Sequence, residues 1–275
     1  MRGNLNIMPK LKVNNIELSY HEIGQGPPIV FIAGLGMDHM NWLYQIPAFH
    51  EDYTVFLVDN RGIGQSTGSD DVYSISMMAN DIFCLLKELD YHKIHVVGHS
   101  MGGMISQELA IRHPQMVETL ILSSTFAKHP EMITFLRDAL HKRFKPTFFN
   151  ENNQFRPEFF SFKPLHAFFL QQVFCKEYLE DNESIITSVL QRYLKQETFI
   201  ETFLKQLHAI FKHDTIDRLH EIEARTLIVS GDNDPLVPVS CARLLHENIS
   251  HSKIHIENGA THGFHIEQAD KYNTI

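Results

Sequence analysis

The chain of 275 residues predicts an α/β fold, a mostly parallel sheet with helices on both faces, on three observations. Short apolar runs alternate with amphipathic stretches through brief polar connections, the pattern of successive strand–helix units. Several runs, such as Ile29-Val30-Phe31-Ile32-Ala33, are apolar at every position, as strands covered on both faces must be. A third run, Val96-Val97-Gly98-His99-Ser100-Met101-Gly102-Gly103-Met104-Ile105, passes from strand to helix through Gly-x-Ser-x-Gly. Such a turn lifts a serine hydroxyl clear of the sheet and sets the next amide at a helix N-terminus, where unsatisfied N–H groups favour an anion.

In chain order, Leu11–Val13 and Ile16–Tyr20 flank the turn pair Asn14-Asn15 and predict a β-hairpin. The strand Ile29–Ala33 ends at Gly34-Leu35-Gly36, a loop able to bring backbone amides close to a ligand. A short helix through Asn41-Trp42 and the strand Thr54–Val58 come next, then the polar, glycine-rich Asp59-Asn60-Arg61-Gly62-Ile63-Gly64-Gln65-Ser66. Met78, Ile82, Leu85, Leu86 and Leu89 recur at three- and four-residue steps and predict a helix over Ile75–Leu89. The strand Ile94–Val97, a helix from Met104 to His113 closed by Pro114, and the strand Leu120–Ser123 follow.

The alternation stops near Phe126 and resumes with the strand Thr226–Ser230, a helix over Val239–Asn248 and the strand Lys253–Ile256. A final helix should begin near Phe264, with only the residues to Ile275 left to it. The simplest organisation is a core of residues 1–126 and 223–275 interrupted by a helical lid over 127–222. From Phe126 to Ile222 the chain holds 15 of its 20 phenylalanines, enough to supply the apolar face that packs the lid and to line a pocket beneath it. Pro146, Pro157, Pro164 and the polar stretch Asn150–Gln154 suggest a mobile connection within the lid.

A formal net charge of −9, with no long basic run, argues against nucleic acid or an anionic membrane as partner. No segment approaches a transmembrane length, and Met1–Pro9 lacks the apolar stretch of a signal peptide. Cys84, Cys175 and Cys241 are scattered, so they read as thiols in a reducing compartment, the cytoplasm. A monomer or homodimer acting on a small molecule is expected.

A serine hydroxyl needs a base to take its proton and an acid to orient that base. Partners should lie after the carboxyl ends of other parallel strands. After Thr226–Ser230 come Asp232 and Asp234; after Lys253–Ile256 come His262 and His265. The order Ser, Asp, His suits a triad on this scaffold, but spacing selects neither aspartate nor histidine. His99, on the turn itself, should project away from the face of Ser100 and is read as structural. Asp59 and Arg61 are expected to form a buried pair holding the loop beside the turn, and Trp42 to pack. No metal site is expected: His262/His265 and His208/His213 lack clustered carboxylate or thiolate partners. Gly34-Leu35-Gly36 lacks the third glycine of a dinucleotide loop.

With these residues in view, the chain resembles the α/β-hydrolase superfamily, and more narrowly its capped esterase and 3-oxoadipate enol-lactonase-like members. The marks are Gly34-Leu35-Gly36…Trp42, Asp59-Asn60-Arg61-Gly62-x-Gly64-x-Ser66, Gly98-His99-Ser100-Met101-Gly102-Gly103, Gly231-x-x-Asp234-x-x-x-Pro238 and His262-x-x-x-x-Glu267. The resemblance implies a mostly parallel eight-stranded sheet with a helical cap inserted after the sixth strand. It implies Ser100 as nucleophile, Asp234 as acid, His262 as base, and the amides of Leu35 and Met101 as oxyanion donors, with no metal and no cofactor. The family's usual His-Gly ahead of the oxyanion loop is Ala33-Gly34 here, which leaves the bonding that supports the loop open. The usual glycine before the histidine is Thr261.

The function expected is hydrolysis of a small carboxylic ester or lactone with an apolar or aromatic moiety, through an acyl-enzyme. Two rivals share the fold: C–C bond hydrolysis of a meta-cleavage product, and a slow or non-catalytic small-molecule receptor. Aspartate-nucleophile chemistry is disfavoured because Ser100 stands at that position.

Overall fold

A computed structural model describes residues 8–130, 170–196 and 198–275. Two adjacent asparagines open the sheet: Asn14 and Asn15 take left-handed angles (φ 43° and 63°), which a short amide side chain tolerates. They turn β1 (Lys10–Val13) back onto β2 (Ile16–Gly24). After β3 (Pro28–Ile32) come a 3-10 helix (His39–Trp42), α1 (Ile46–Phe49) and β4 (Thr54–Val58). Then follow α2 (Ile75–Glu88), β5 (Ile94–His99), α3 (Met101–Arg112) and β6 (Val117–Ser123). Helices α4 (Lys176–Asp181), α5 (Glu183–Leu194) and α6 (Phe199–Lys212) and the 3-10 helix Ile216–Glu221 lie between β6 and β7 (Arg225–Gly231). The chain closes with α7 (Val239–Asn248), β8 (Ser252–Glu257), α8 (Phe264–Glu267) and α9 (Ala269–Tyr272).

The eight strands form one sheet in the order β1-β2-β4-β3-β5-β6-β7-β8. β2 pairs antiparallel with β1 and β4, and every later pairing is parallel. Period-2 alternation sends the strands' side chains to two faces. Val30, Ile32, Phe56, Val58, Val96 and Leu120 pack with α2 and α3, through Met78, Ile82, Leu85, Met104 and Leu109. Ile29, Phe31, Val55, Leu57 and Val97 pack on the other face with Trp42, Phe264 and Tyr272. Central strands are therefore apolar throughout because each face has its own covering layer.

β3 lies between β4 and β5, so the chain leaves it to one side and later returns on the other. The crevice at the carboxyl ends of β3 and β5 is where such sheets bind ligands.

Two elements differ from the periodicity. Helix α3 starts at Met101, three residues before the apolar pattern begins, because the chain turns into the helix directly after Ser100. The last helix is two pieces, broken where Gln268 leaves helical angles (φ −130°, ψ 50°). That break lets Tyr272 fold back against Phe264 and His265, at ring separations of 5.5 and 5.9 Å.

The helical insertion leaves and rejoins the sheet at neighbouring points. The Thr215 amide donates to the Ala127 carbonyl (2.9 Å), and Lys128 pairs with Asp214 (2.7 Å). Asn150–Gln154, the three prolines and the Phe148–Phe169 rings of the expected lid lie outside the described residues. None of the helices among the described residues is long and apolar enough to cross a membrane.

Candidate active site

Ser100 is the junction of β5 and α3 and has φ 56° and ψ −118°, a strained conformation for a residue with a Cβ. Neighbouring bonds hold it there. Its amide donates to Ser123 O (2.9 Å), and its carbonyl accepts from Thr125 Oγ1 (2.7 Å). The flanking glycines are fixed by close approach: a Cβ on Gly98 would stand 2.2 Å from Ser106 Oγ, and one on Gly102 2.0 Å from Ile32 O. Met101 is the first residue of α3, so its amide has no partner one turn earlier.

His262 follows β8 and Asp234 follows β7. His262 Nδ1 and Asp234 Oδ2 are 2.8 Å apart, in side chains 5% and 0% exposed. The other carboxylate oxygen, Asp234 Oδ1, accepts the amides of Leu236 and Val237, each at 2.9 Å. Burial works to raise the Asp234 pKa, but His262 and these amides outweigh it and hold the carboxyl below its usual range. Asp232, the other aspartate of the loop, is exposed; it accepts from the Gly259 amide (2.6 Å) and so ties the β7 loop to the β8 loop.

His99 is 5% exposed; burial, then the neighbouring His262, push its pKa down to about 3. Kept neutral, it donates from Nε2 to the His262 carbonyl (3.0 Å) and so supports the His262 main chain. His265 is buried against His99 and Trp42, at ring separations of 4.1 and 5.0 Å, with Nε2 accepting from Asn41 Nδ2 (3.0 Å). Trp42 packs, fully buried, between Phe31 and these histidines.

The structure brings the Gly34–Gly36 loop against the serine turn: a Cβ on Gly34 would stand 3.3 Å from Ser100 Cβ. Leu35 is half-buried between the sheet core and an aromatic cluster of Tyr193, Phe199 and Phe203 from the insertion. The bonding left open by Ala33 is supplied from elsewhere. Asn60 Nδ2 donates to Ala33 O (3.0 Å), and Gln206 Oε1 accepts from the Gly36 amide (3.0 Å).

The expected Asp59–Arg61 pair does not form. Arg61 turns instead to Asp81 on the buried face of α2, through Nε at 2.8 Å and Nη2 at 2.6 Å, a bidentate fork. Asp59 accepts from the His39 amide (2.9 Å) and His39 Nδ1 (2.7 Å), and from the Gln65 amide (2.8 Å). Residues two apart in this turn face different neighbours, and α2 presents the Asp81 carboxylate to the guanidinium's two edges.

Asp38, His39 and Asp59 bring three potential ligand atoms within 4.8 Å of one another. Each is already engaged by donors, Asp38 by Met40 N, Arg192 and Tyr193, and Asp59 by His39 and Gln65. This is a hydrogen-bonded network, and we assign no metal to it.

Sequence reasoning missed Gln206, Asp38, Arg192 and Asp81. One signal was present: Gln206 interrupts the apolar face of α6 set by Phe199, Phe203 and Ile210. It also missed how Glu267 joins the histidine loop to the insertion, accepting from Thr261 Oγ1 (2.6 Å) and from the Cys175 amide (2.5 Å).

Comparison with known proteins gives a consistent result. The chain is 27% identical over 265 residues to 3-oxoadipate enol-lactonase 2 of Acinetobacter baylyi, covering 96% of this chain and 92% of that one. It is 24% identical over 260 residues to a Caulobacter protein provisionally named the carbamate hydrolase RutD, covering 92% of each. The crystal structure of the enol-lactonase from Burkholderia xenovorans superposes with a TM-score of 0.82 at 25% identity, over 97% of both chains. The sequence profile of the alpha/beta hydrolase fold family matches residues 27–269, and the chain belongs to that family.

Proposed function

We propose that this protein is a serine hydrolase that cleaves a small carboxylic ester or lactone carrying an apolar or aromatic group. The observation that carries the reading is the buried 2.8 Å bond between His262 Nδ1 and Asp234, on a loop that His99, the residue before the strained Ser100 turn, holds at the His262 carbonyl (3.0 Å). Asp234 holds the imidazole in the tautomer with Nε2 unprotonated and stabilises the imidazolium once it forms. His262 takes the Ser100 proton as Oγ attacks the carbonyl carbon. The amides of Leu35 and Met101 hold the oxyanion, each worth roughly 10²–10³ in turnover. The tetrahedral intermediate then collapses: His262 protonates the leaving alcohol, and the acyl-enzyme remains. Water, deprotonated by His262, attacks that ester and releases the acid. The aromatic cluster of Tyr193, Phe199 and Phe203 supports an apolar acyl or aryl group, and the likeness to two enol-lactonases supports a lactone. Carbamate cleavage, for which the Caulobacter relative is named, proceeds through the same kind of tetrahedral intermediate and is a second reading. The protein acts in the cytoplasm, a reading that its three free cysteines support.

The test is turnover on a chain-length series of p-nitrophenyl esters. Wild type hydrolyses short or aromatic members, and Ser100→Ala falls to background with an unchanged melting curve. Undiminished hydrolysis by Ser100→Ala overturns the assignment. A preference for long or charged acyl groups overturns the apolar pocket.

A further inference from the structure

The Leu35 amide belongs to the peptide unit between Gly34 and Leu35, and that unit sits in a loop flanked by two glycines. Three hydrogen bonds restrain it. The preceding unit is held at Ala33 O by Asn60 Nδ2 (3.0 Å). The unit itself is held at Gly34 O by the Met37 amide (3.3 Å). The following unit is held at the Gly36 amide by Gln206 Oε1 (3.0 Å), which comes from α6 of the helical insertion. Gln206 is 0% exposed, and its Nε2 donates to Arg61 O (3.3 Å). One side chain of the insertion thus bridges the loop after β3 and the loop after β4. The insertion adds two more grips nearby. Phe203 lies over Gly36 so closely that a Cβ there would stand 2.9 Å from Cδ2. Asp38 receives Arg192 Nη2 (2.7 Å) and Tyr193 Oη (3.0 Å) from α5.

We propose that Gln206 is a positioning residue that couples seating of the helical insertion to assembly of the oxyanion site. With α6 seated, Gln206 fixes the peptide plane after Leu35 and so sets the direction of the Leu35 N–H. With α6 lifted, the Gly36 amide loses its partner, and the soft Gly34–Gly36 loop no longer aims the donor. Enclosing an apolar substrate and preparing the site for its tetrahedral intermediate then become one event, as expected where binding energy is used to align catalytic groups. A glutamine suits the position because one buried side chain of α6 must supply both an acceptor and a donor. The proposal rests on the assignment of Leu35 to the oxyanion.

The test compares Gln206→Met and Gln206→Glu with wild type, using p-nitrophenyl butyrate and thermal melts. Gln206→Met lowers kcat roughly ten- to a hundredfold, the scale set by a misplaced catalytic group, and leaves KM within about threefold. In Gln206→Glu the protonated carboxyl can still accept from Gly36 and donate to Arg61 O, whereas the carboxylate repels that carbonyl. Its kcat relative to wild type therefore rises as pH falls from about 8 to about 6. A wild-type kcat in Gln206→Met, or a flat Gln206→Glu ratio across that range, overturns the proposal. If Gln206→Met does not fold, the Gln206→Glu profile alone decides. An inactive Ser100→Ala beside a fully active Gln206→Met removes only this inference, whereas an active Ser100→Ala removes the serine mechanism beneath it.

Discussion

Between about pH 7.5 and about pH 5 the folded chain keeps neutral three histidines that the unfolded chain protonates. Burial, then His262, push His99 down to about 3, and burial pushes His213 down to about 4, against the pull of Glu108. Burial, then His99 and His262, hold His265 well below the ordinary imidazole value. For a depressed histidine, the stability contribution is complete above the unfolded pKa of about 6.5 and is lost as pH falls from there toward the folded value. Each such group costs about 1.4 kcal/mol per pH unit once the unfolded imidazole is charged. At about pH 5 His99 and His213 together remove about 4 kcal/mol, a large part of a typical 5–15 kcal/mol. His265 acts in the same sense. His39 acts in the opposite one: burial lowers its pKa, but the bond to Asp59 and that charge outweigh it and raise it, so its contribution is present at low pH. Below the unfolded pKa of about 6.5 His39 is charged in both states and adds no slope, so the three depressed histidines bring the net slope toward about three protons. Urea titrations followed by circular dichroism, in half-unit pH steps, measure it. His213→Gln should flatten the slope by about one proton, or about 1.4 kcal/mol per pH unit. Stability that is constant across this range, or a His213→Gln slope equal to wild type, would refute the argument.

Two further outcomes follow from particular contacts. Asp234→Asn removes the carboxylate that holds His262 Nδ1 and should lower kcat for an aryl ester by roughly 10³–10⁴, whereas Asp232→Asn, at an exposed residue bonded to the Gly259 amide, should stay within about threefold of wild type. Equal losses in the two would reverse the assignment of the acid. Arg61→Leu strands the buried Asp81 carboxylate and should cost about 3–5 kcal/mol in urea denaturation, with a much smaller cost in Arg61→Leu/Asp81→Leu; a double variant as unstable as the sum would disprove the pairing energy.

Much of the fold was legible because it follows from local rules. Thr54–Val58 and Val239–Asn248 have the bounds their apolar pattern and flanking polar residues indicate. The Asn14-Asn15 turn was readable from side chains that tolerate positive φ. Periodicity alone starts α3 at Met104, because it is carried by apolar residues, whereas the Gly98-x-Ser100-x-Gly102 turn already put the Met101 amide at a helix N-terminus. The break at Gln268 depends on Tyr272 finding Phe264 and His265, a contact made only after the chain folds back.

The same division runs through the site. Taken alone, the sequence determined that a serine stands at a strand-to-helix turn, and that an aspartate-bearing loop and a histidine-bearing loop follow later strands in the right order. These are statements about chain order and local backbone chemistry. The motif resemblance named Asp234 and His262, which the structure brings into contact; only the tertiary structure decided that Arg61 turns to Asp81 and leaves Asp59 to His39, and that Gln206 crosses from the insertion to Gly36. Each of those is a hydrogen bond between residues of different segments. Its partner is fixed by where burial leaves a donor facing an acceptor, and no spacing along the chain encodes that.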